Sequence, residues 1–381
     1  MRMAIVADWL TTFGGAEHVI AELNALWPDA PLCTTVARTA CLGPLARADI
    51  RTTPLQKWYR ILQYHQPMLP LMPRAIEGID LRGYDCIVSS SHAVAKGIIP
   101  PTSAIHICYC HTPMRYAWEM EEQYFDDFRI PRWIRPAVRH IMKQIRRWDL
   151  TTAKRVDHFI ANSTTTQERI KRIYNRESVV IPPPVHDRFF KQKIDPSPQS
   201  LVPSPYFLSV SRLVPYKRVD LLIAAANAKG LLLRIVGEGQ DRRRLERLAG
   251  PTVTFLGHVP DDELPSLYAG ACALLFPALE DAGLAPMEAQ ACGTPVIAYG
   301  KGGVCDTVEE GVTGLFFFEQ SVPAILAAVE NFHTRSWDPD CIRSHAQQFS
   351  AERFREKVEE EVERAIERFE GRIGTIPSAA R

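Results

Sequence analysis

Short apolar, β-branched runs alternate with helix-like patterns along nearly the whole chain, and no other feature limits the fold as strongly. The runs fall at 3–7, 85–89, 105–110, 158–162 and 179–182, then at 206–210, 231–236, 253–256, 272–276 and 295–298. Strands separated by helices pair in parallel, and a parallel sheet must be covered on both faces. Each set therefore predicts its own doubly wound α/β sheet. Two cores also suit 381 residues, because single cores stop growing at about 250–300.

Between the sets lie Pro182-Pro183-Pro184 and then Pro196, Pro198, Pro203 and Pro205, whose rings deny the chain helix or central-strand pairing. The expected division is a first domain over 1–184, a linker over 185–205, a second domain over 206–346, and a C-terminal helix and tail over 347–381. That helix carries Phe354, Val358, Val362, Ile366 and Phe369 on one face, which suits it to cross back onto the first domain.

With 46% hydrophobic and 23% charged residues the chain is neither disordered nor membrane-embedded, and a net charge of +1 argues against nucleic acid as a partner. Nine scattered cysteines without a C-x-x-C pair read as core thiols of a reducing compartment, not as zinc ligands. The first residues meet Asp8 too early for a signal peptide, and no apolar run approaches the roughly 18–20 residues that span a bilayer. The expected location is cytoplasmic, peripheral on the inner face of the cell membrane.

In open α/β sheets ligands gather at strand carboxyl ends, where loops and helix N-termini present free N–H groups. After the run at 272–276, Glu280 and Glu288 flank Gly283 and Leu284, with Pro286 suited to a first helical turn. Carboxylates there suit sugar hydroxyls and the N–H groups suit phosphate, although either glutamate alone also reads as a surface residue. After the run at 206–210, Arg212 and Lys217 can meet a diphosphate from two sides and stabilise the charge it gains as a leaving group. Gly14 and Gly15 follow the first strand, Gly237 and Gly239 follow 231–236, and Gly300, Gly302 and Gly303 follow 295–298. All can admit a close ligand or simply turn the chain.

His111 ends the run at 105–110 and can donate to a hydroxyl, take a proton, or serve structure alone. Cys110 beside it points to the opposite face and forms no dyad with it. Arg115 follows in the same segment. A basic helix over 132–147 carries Arg135, Arg139 and Lys143 beside an apolar stripe of Ile134, Val138, Ile141, Ile145 and Trp148. It suits either an anionic membrane surface or a core-packed helix with a solvated face. The D-x-D spelling at Asp338 and Asp340 lies in a proline-broken stretch and reads as a turn, so no metal is expected.

Taken together, Gly14-Gly15-Ala16-Glu17, His111-Thr112-Pro113, Arg212 with Lys217, Gly237-x-Gly239 and the Glu280/Glu288 pair resemble the landmarks of family 4 glycosyltransferases. The resemblance runs over nearly the whole chain in the family's order. It implies the GT-B architecture, two Rossmann-like domains facing a cleft, and retaining, metal-independent transfer from a nucleotide-sugar donor. It further implies that Glu280 binds donor-sugar hydroxyls, Gly283 and Leu284 offer N–H groups, Glu288 holds the ribose, and Arg212 and Lys217 hold the diphosphate. His111 would face the donor sugar, and Gly14 and Gly15 would close over the phosphate near the acceptor. Ala282 stands where the family commonly has Phe. The wording from Cys110 to Trp118 is most similar to bacterial enzymes that take GDP-mannose, which implies a lipid-linked or polysaccharide acceptor. The alternatives are a UDP-sugar-dependent glucosyl- or galactosyltransferase, or a catalytically silent scaffold. A nicotinamide enzyme is disfavoured, because Gly14-Gly15 lacks the G-x-G-x-x-G spacing.

Overall fold

A computed structural model describes residues 1–119, 125, 130–191 and 205–374. Its first sheet holds β1 (Met3–Ala7), β2 (Leu32–Thr34), β3 (Ile50–Thr52), β4 (Cys86–Ser91), β5 (Ile105–Cys110), β6 (His158–Ala161) and β7 (Ser178–Val180). Their spatial order is β3-β2-β1-β4-β5-β6-β7, parallel throughout. The second sheet holds β8 (Tyr206–Val210), β9 (Leu233–Val236), β10 (Val253–Gly257), β11 (Ala271–Phe276), β12 (Val296–Tyr299) and β13 (Gly314–Phe317). It repeats the same winding as β10-β9-β8-β11-β12-β13.

Sequence periodicity had not marked β2, β3 or β13. Leu32–Thr34 and Ile50–Thr52 are three residues each, too short for an alternation to register, and β13 opens on Gly314. The Asp338-Pro339-Asp340 stretch is a helix start and not a turn: the Asp338 carboxylate accepts the Asp340 and Cys341 N–H groups and caps the helix Pro339–Ala346.

The two units are Met1–Pro183 together with the chain from Phe354 on, and Pro184–Arg353. In the first, alternate residues of β1 feed opposite faces. Ile5 and Ala7 pack with Val19, Ile20 and Leu23, while Ala4 and Val6 pack with Met72, Ile76 and Val94. The C-terminal helix Ala351–Gly374 buries Phe354, Val358, Val362 and Ala365 in the Ile5 face, the i, i+4 spacing its sequence carries. Each such side chain contributes roughly 1.5–3 kcal/mol of burial. The second unit takes in Val185 and Phe189, both buried in its core. Residues 192–204 of the expected linker lie outside the described residues.

Both sheets reverse their winding direction at one place, between β1 and β4 and between β8 and β11. Loops leaving the carboxyl ends diverge there and open a crevice. The chemically informative side chains gather at these two places.

Candidate functional site

In the second unit, β8 leads into Ser211 and Arg212 and then a single turn of 3-10 helix, Pro215–Lys217. Arg212 is exposed and its guanidinium donates to the Tyr216 hydroxyl at 2.9 Å. Lys217 lies deeper, and its ammonium ion-pairs with the Glu280 carboxylate at the end of β11, across the winding reversal. Two residues 63 apart in sequence thus meet where a ligand's charged and hydroxyl groups would converge.

Glycines fix both loops. The Gly237 N–H is committed to the Gly257 carbonyl at 2.8 Å, and a β-carbon at Gly237 or Gly239 would collide with the carbonyl of Ser211 or Leu213. Gly237 therefore seats the Arg212 loop against its neighbour, and its N–H is not open to a phosphate. Gly302 and Gly303 do the same for the other loop. Gly303 N–H donates to the Glu280 carbonyl at 2.9 Å, and a β-carbon at Gly303 would strike the Asp281 carbonyl.

Gly283 has a left-handed φ of 72°, which lets the chain turn sharply into the helix Leu284–Ala291. No side chain caps that helix, so the Leu284 and Ala285 N–H groups have no intrahelical acceptor, while Pro286 brings none. Glu288 follows one turn later and accepts the Tyr268 hydroxyl at 2.9 Å. Burial pushes its carboxyl up to about 7, against the opposing pull of Tyr268 and of the Arg188 guanidinium. Neither Tyr268 nor Arg188 was marked in the sequence, since a buried tyrosine and a basic residue after a proline run look ordinary.

In the first unit, His111 stands at the end of β5, its Nε2 2.8 Å from the Ser90 hydroxyl. Burial, and then the nearby charge of His92, lower its pKa to about 3, so it is neutral at physiological pH and acts by hydrogen bonding. The Gly14 N–H donates to the Glu17 carboxylate at 3.1 Å, and Gly15 begins the helix Gly15–Leu26.

Sequence reading missed the centre of this cluster. Asp8 leaves β1 and its carboxylate accepts the N–H groups of His92 (2.7 Å), Ala93 (3.1 Å), Val94 (2.6 Å) and Ala95 (2.5 Å) from the loop after β4. It also pairs with His92 Nδ1 at 2.9 Å. Burial alone would raise the Asp8 carboxyl, but His92 and these donors outweigh it and hold the pKa below the usual value. Burial opposes charge on His92 as well, yet Asp8 prevails and raises it. Trp9 meets His92 edge-on at 4.7 Å and stacks on His65 at 4.5 Å.

The other expected residues of this unit are carried by two helices that follow β5. Arg115 opens the short helix Arg115–Trp118. Arg135 begins the helix Arg135–Thr152, and its guanidinium and that of Arg139 lie 5.5 and 5.3 Å from the Phe125 ring centre, while Lys143 is exposed. The apolar stripe of that helix is turned inward: Met142 and Ile145 are buried and Val138, Ile141 and Trp148 pack against the same core. Cys110 is fully buried and its thiol pKa is raised well above normal by burial, which removes it as a nucleophile. Among the described residues, no group of three or more His, Cys, Asp or Glu is placed to hold a metal ion, and no helix is long and apolar enough to cross a membrane.

Comparison with known proteins fits this geometry. Residues 13–189 match the family described as Glycosyltransferase Family 4, and residues 190–348 match Glycosyl transferases group 1. The GDP-mannose-dependent alpha-(1-6)-phosphatidylinositol monomannoside mannosyltransferase of Mycolicibacterium smegmatis is 35% identical over 143 residues, 33% of this chain and 37% of that protein. The glycogen synthase of Xanthomonas oryzae is 37% identical over 136 residues, 33% of this chain and 26% of that protein. Both matches span well under two thirds of the relatives' own length. Among solved structures, Anabaena HepE in complex with UDP-glucose superposes with a TM-score of 0.69 at 20% identity, covering 95% of this chain and 100% of that one. The sucrose-phosphate synthase of Thermosynechococcus elongatus gives 0.72 at 20% identity, covering 96% and 99%. With two family domains that tile the chain from 13 to 348 and two Rossmann-like sheets of matching fold, the chain belongs to the family 4, group 1 glycosyltransferases of GT-B architecture.

Proposed function

We propose that the protein is a retaining α-mannosyltransferase that moves mannose from GDP-mannose to a lipid-linked or growing glycan acceptor without a metal cofactor. The observation that carries a nucleotide-sugar site is the Lys217–Glu280 ion pair, held beside the uncapped start of Leu284–Ala291 with Glu288 one turn on. Those groups meet, in order, a diphosphate, the hydroxyls of a sugar and a ribose. In transfer, the bond from the sugar's anomeric carbon to the diphosphate breaks as a bond to the acceptor oxygen forms on the same face. The acceptor proton passes to the departing phosphate oxygen. Lys217 and Arg212 stabilise the charge gathering on that phosphate, and Glu280 orients the sugar. The mannose assignment draws on the mycobacterial relatives, which are GDP-mannose-dependent mannosyltransferases.

Isothermal titration of GDP, UDP and ADP tests the donor: GDP is expected to bind tightest, and a clear preference for UDP would transfer the assignment to a UDP-sugar enzyme. That second reading is favoured by the glycogen synthase relatives and by the UDP-glucose held in the HepE structure.

The raised carboxyl of Glu288 gives a second expectation. With its pKa at about 7, Glu288 is mostly protonated at mildly acid pH and mostly ionised at mildly alkaline pH. Only the ionised form offers acceptors alone to a ribose diol. Affinity for GDP-mannose, whose diphosphate diester does not titrate in this range, is expected to rise about five- to tenfold from one pH unit below to one above. The Glu288→Gln variant should bind more weakly and with no such slope. A slope that survives in this variant assigns the titration to another group.

A further inference from the structure

The helix Leu55–Leu62 carries large apolar residues on both sides. It faces the protein with Leu55, which packs against the core, with Tyr59, which is buried, and with Gln56, whose side chain exchanges two 2.8 Å hydrogen bonds with the backbone of Ala37. Its other large apolar residues face solvent: Trp58 is 63% exposed, Ile61 77% and Leu62 46%, followed by Tyr64 at 68% and Leu71 at 55%. Single exposed apolar residues are ordinary, but five large ones within fourteen positions form a patch that a soluble surface does not keep without use.

The charge this segment itself carries is basic. From residue 50 to residue 76 the chain contains no Asp or Glu, and Lys57, Arg60 and Arg74 are basic, while the Arg51 guanidinium is paired with Asp49. Tryptophan and tyrosine beside lysine and arginine suit the boundary of a bilayer, where rings sit at headgroup depth and cations meet anionic phosphates. A second copy of the same surface would instead set these cations against one another across an isologous contact.

We propose that the helix Leu55–Leu62 and the following segment through Leu71 are an interfacial anchor, which seats Trp58, Ile61, Leu62, Tyr64 and Leu71 in an anionic lipid surface. The anchor connects to the chemistry of its unit. His65, next to Tyr64, stacks on Trp9, and Trp9 packs on His92 at the ends of β1 and β4. A bilayer gripped by the anchor therefore lies next to the segment that reaches the strand-end cluster. This deepens the reading of a lipid-linked acceptor and rests on it for its purpose. The helix Arg135–Thr152, whose apolar stripe is spent on the core, adds surface charge only.

The test is sedimentation of the full chain with vesicles of phosphatidylcholine alone and of phosphatidylcholine with phosphatidylglycerol, with nucleotide titration in parallel. The wild type should bind the anionic vesicles, bind neutral ones weakly, and release with salt. The double variant Trp58→Ser, Ile61→Ser should lose about thirtyfold or more in partitioning, the loss of two buried apolar side chains, yet bind nucleotide as before. Arg139→Glu with Lys143→Glu should lose less. The proposal is overturned if the wild type ignores anionic vesicles, if the Trp58/Ile61 variant sediments like it, or if the Arg139/Lys143 variant loses more. It is also overturned if the wild type is a dimer that the Trp58/Ile61 variant dissociates, which would give the patch to a second copy. Vesicle binding without nucleotide binding would sink the donor reading and leave the anchor standing, and the converse result would do the reverse.

Discussion

Lys217→Ala is expected to slow sugar transfer by about a hundred- to a thousandfold, the loss typical of removing one group that stabilises transition-state charge. Stability should also fall. The Lys217–Glu280 pair is largely buried, with 14% and 19% of the side chains exposed, so losing Lys217 leaves the Glu280 carboxylate without its partner, at a cost below the about 3–5 kcal/mol of a fully buried pair. The rate effect has a different origin: the ammonium is pinned by Glu280 at the winding reversal of the second sheet, so it need not reorganise as the phosphate gains charge. Glu280→Ala removes both the carboxylate proposed to orient the sugar and the group that holds Lys217, and should cost a similar factor. The double variant should be little slower than the worse single one, since the two act as a unit. Single-turnover rates at saturating donor measure this. Near-normal turnover in Lys217→Ala, or strictly multiplicative losses in the double variant, would remove the pair from the chemistry.

What the sequence made legible is what lies next to a strand in the chain. Arg212 and Lys217 follow a run of apolar residues at once, and Glu280 and Glu288 straddle a glycine and a proline that mark a loop entering a helix, so their placement needed only local rules. The C-terminal helix was legible for the same reason, its apolar face being spaced for burial over four turns. The Asp8–His92 pair was not. Its members are 84 residues apart and meet because β1 and β4 pair in the register that sets Ala7 beside Ser90. Nothing local to either residue encodes that register. Glycines misled in the other direction, since Gly237-x-Gly239 looks the same in sequence whether the missing β-carbon admits a phosphate or the carbonyls of a neighbouring loop. The helix Leu55–Leu62 shows a third limit. Periodicity reveals that a helix has apolar residues, but not that Leu55, Gln56 and Tyr59 would be the ones turned inward, with Trp58, Ile61 and Leu62 left outside.

Asp8→Ala is expected to destabilise the first unit by about 3–5 kcal/mol, the usual cost of breaking a buried charge pair by removing one partner. Four consecutive N–H groups, those of His92, Ala93, Val94 and Ala95, lose their acceptor together, and the His92 imidazole loses the carboxylate that orients it. The two pKa shifts set the pH window. Asp8 is lowered, so its contribution is present above the ordinary carboxylate value and fades as the pH falls through its folded value. His92 is raised, so its contribution is full below about 6.5 and fades as the pH rises through its higher folded value. The pair therefore supports the unit most from mildly acid to near-neutral pH, and the variant should lose that dependence along with the stability. Amide exchange reads the effect locally: protection at Ala93, Val94 and Ala95 should collapse in Asp8→Ala, and Asp8→Asn, which keeps one oxygen acceptor, should fall between. Unchanged protection in the alanine variant would mean that the loop is held by its packing, and that Asp8 does no more than balance the charge of His92.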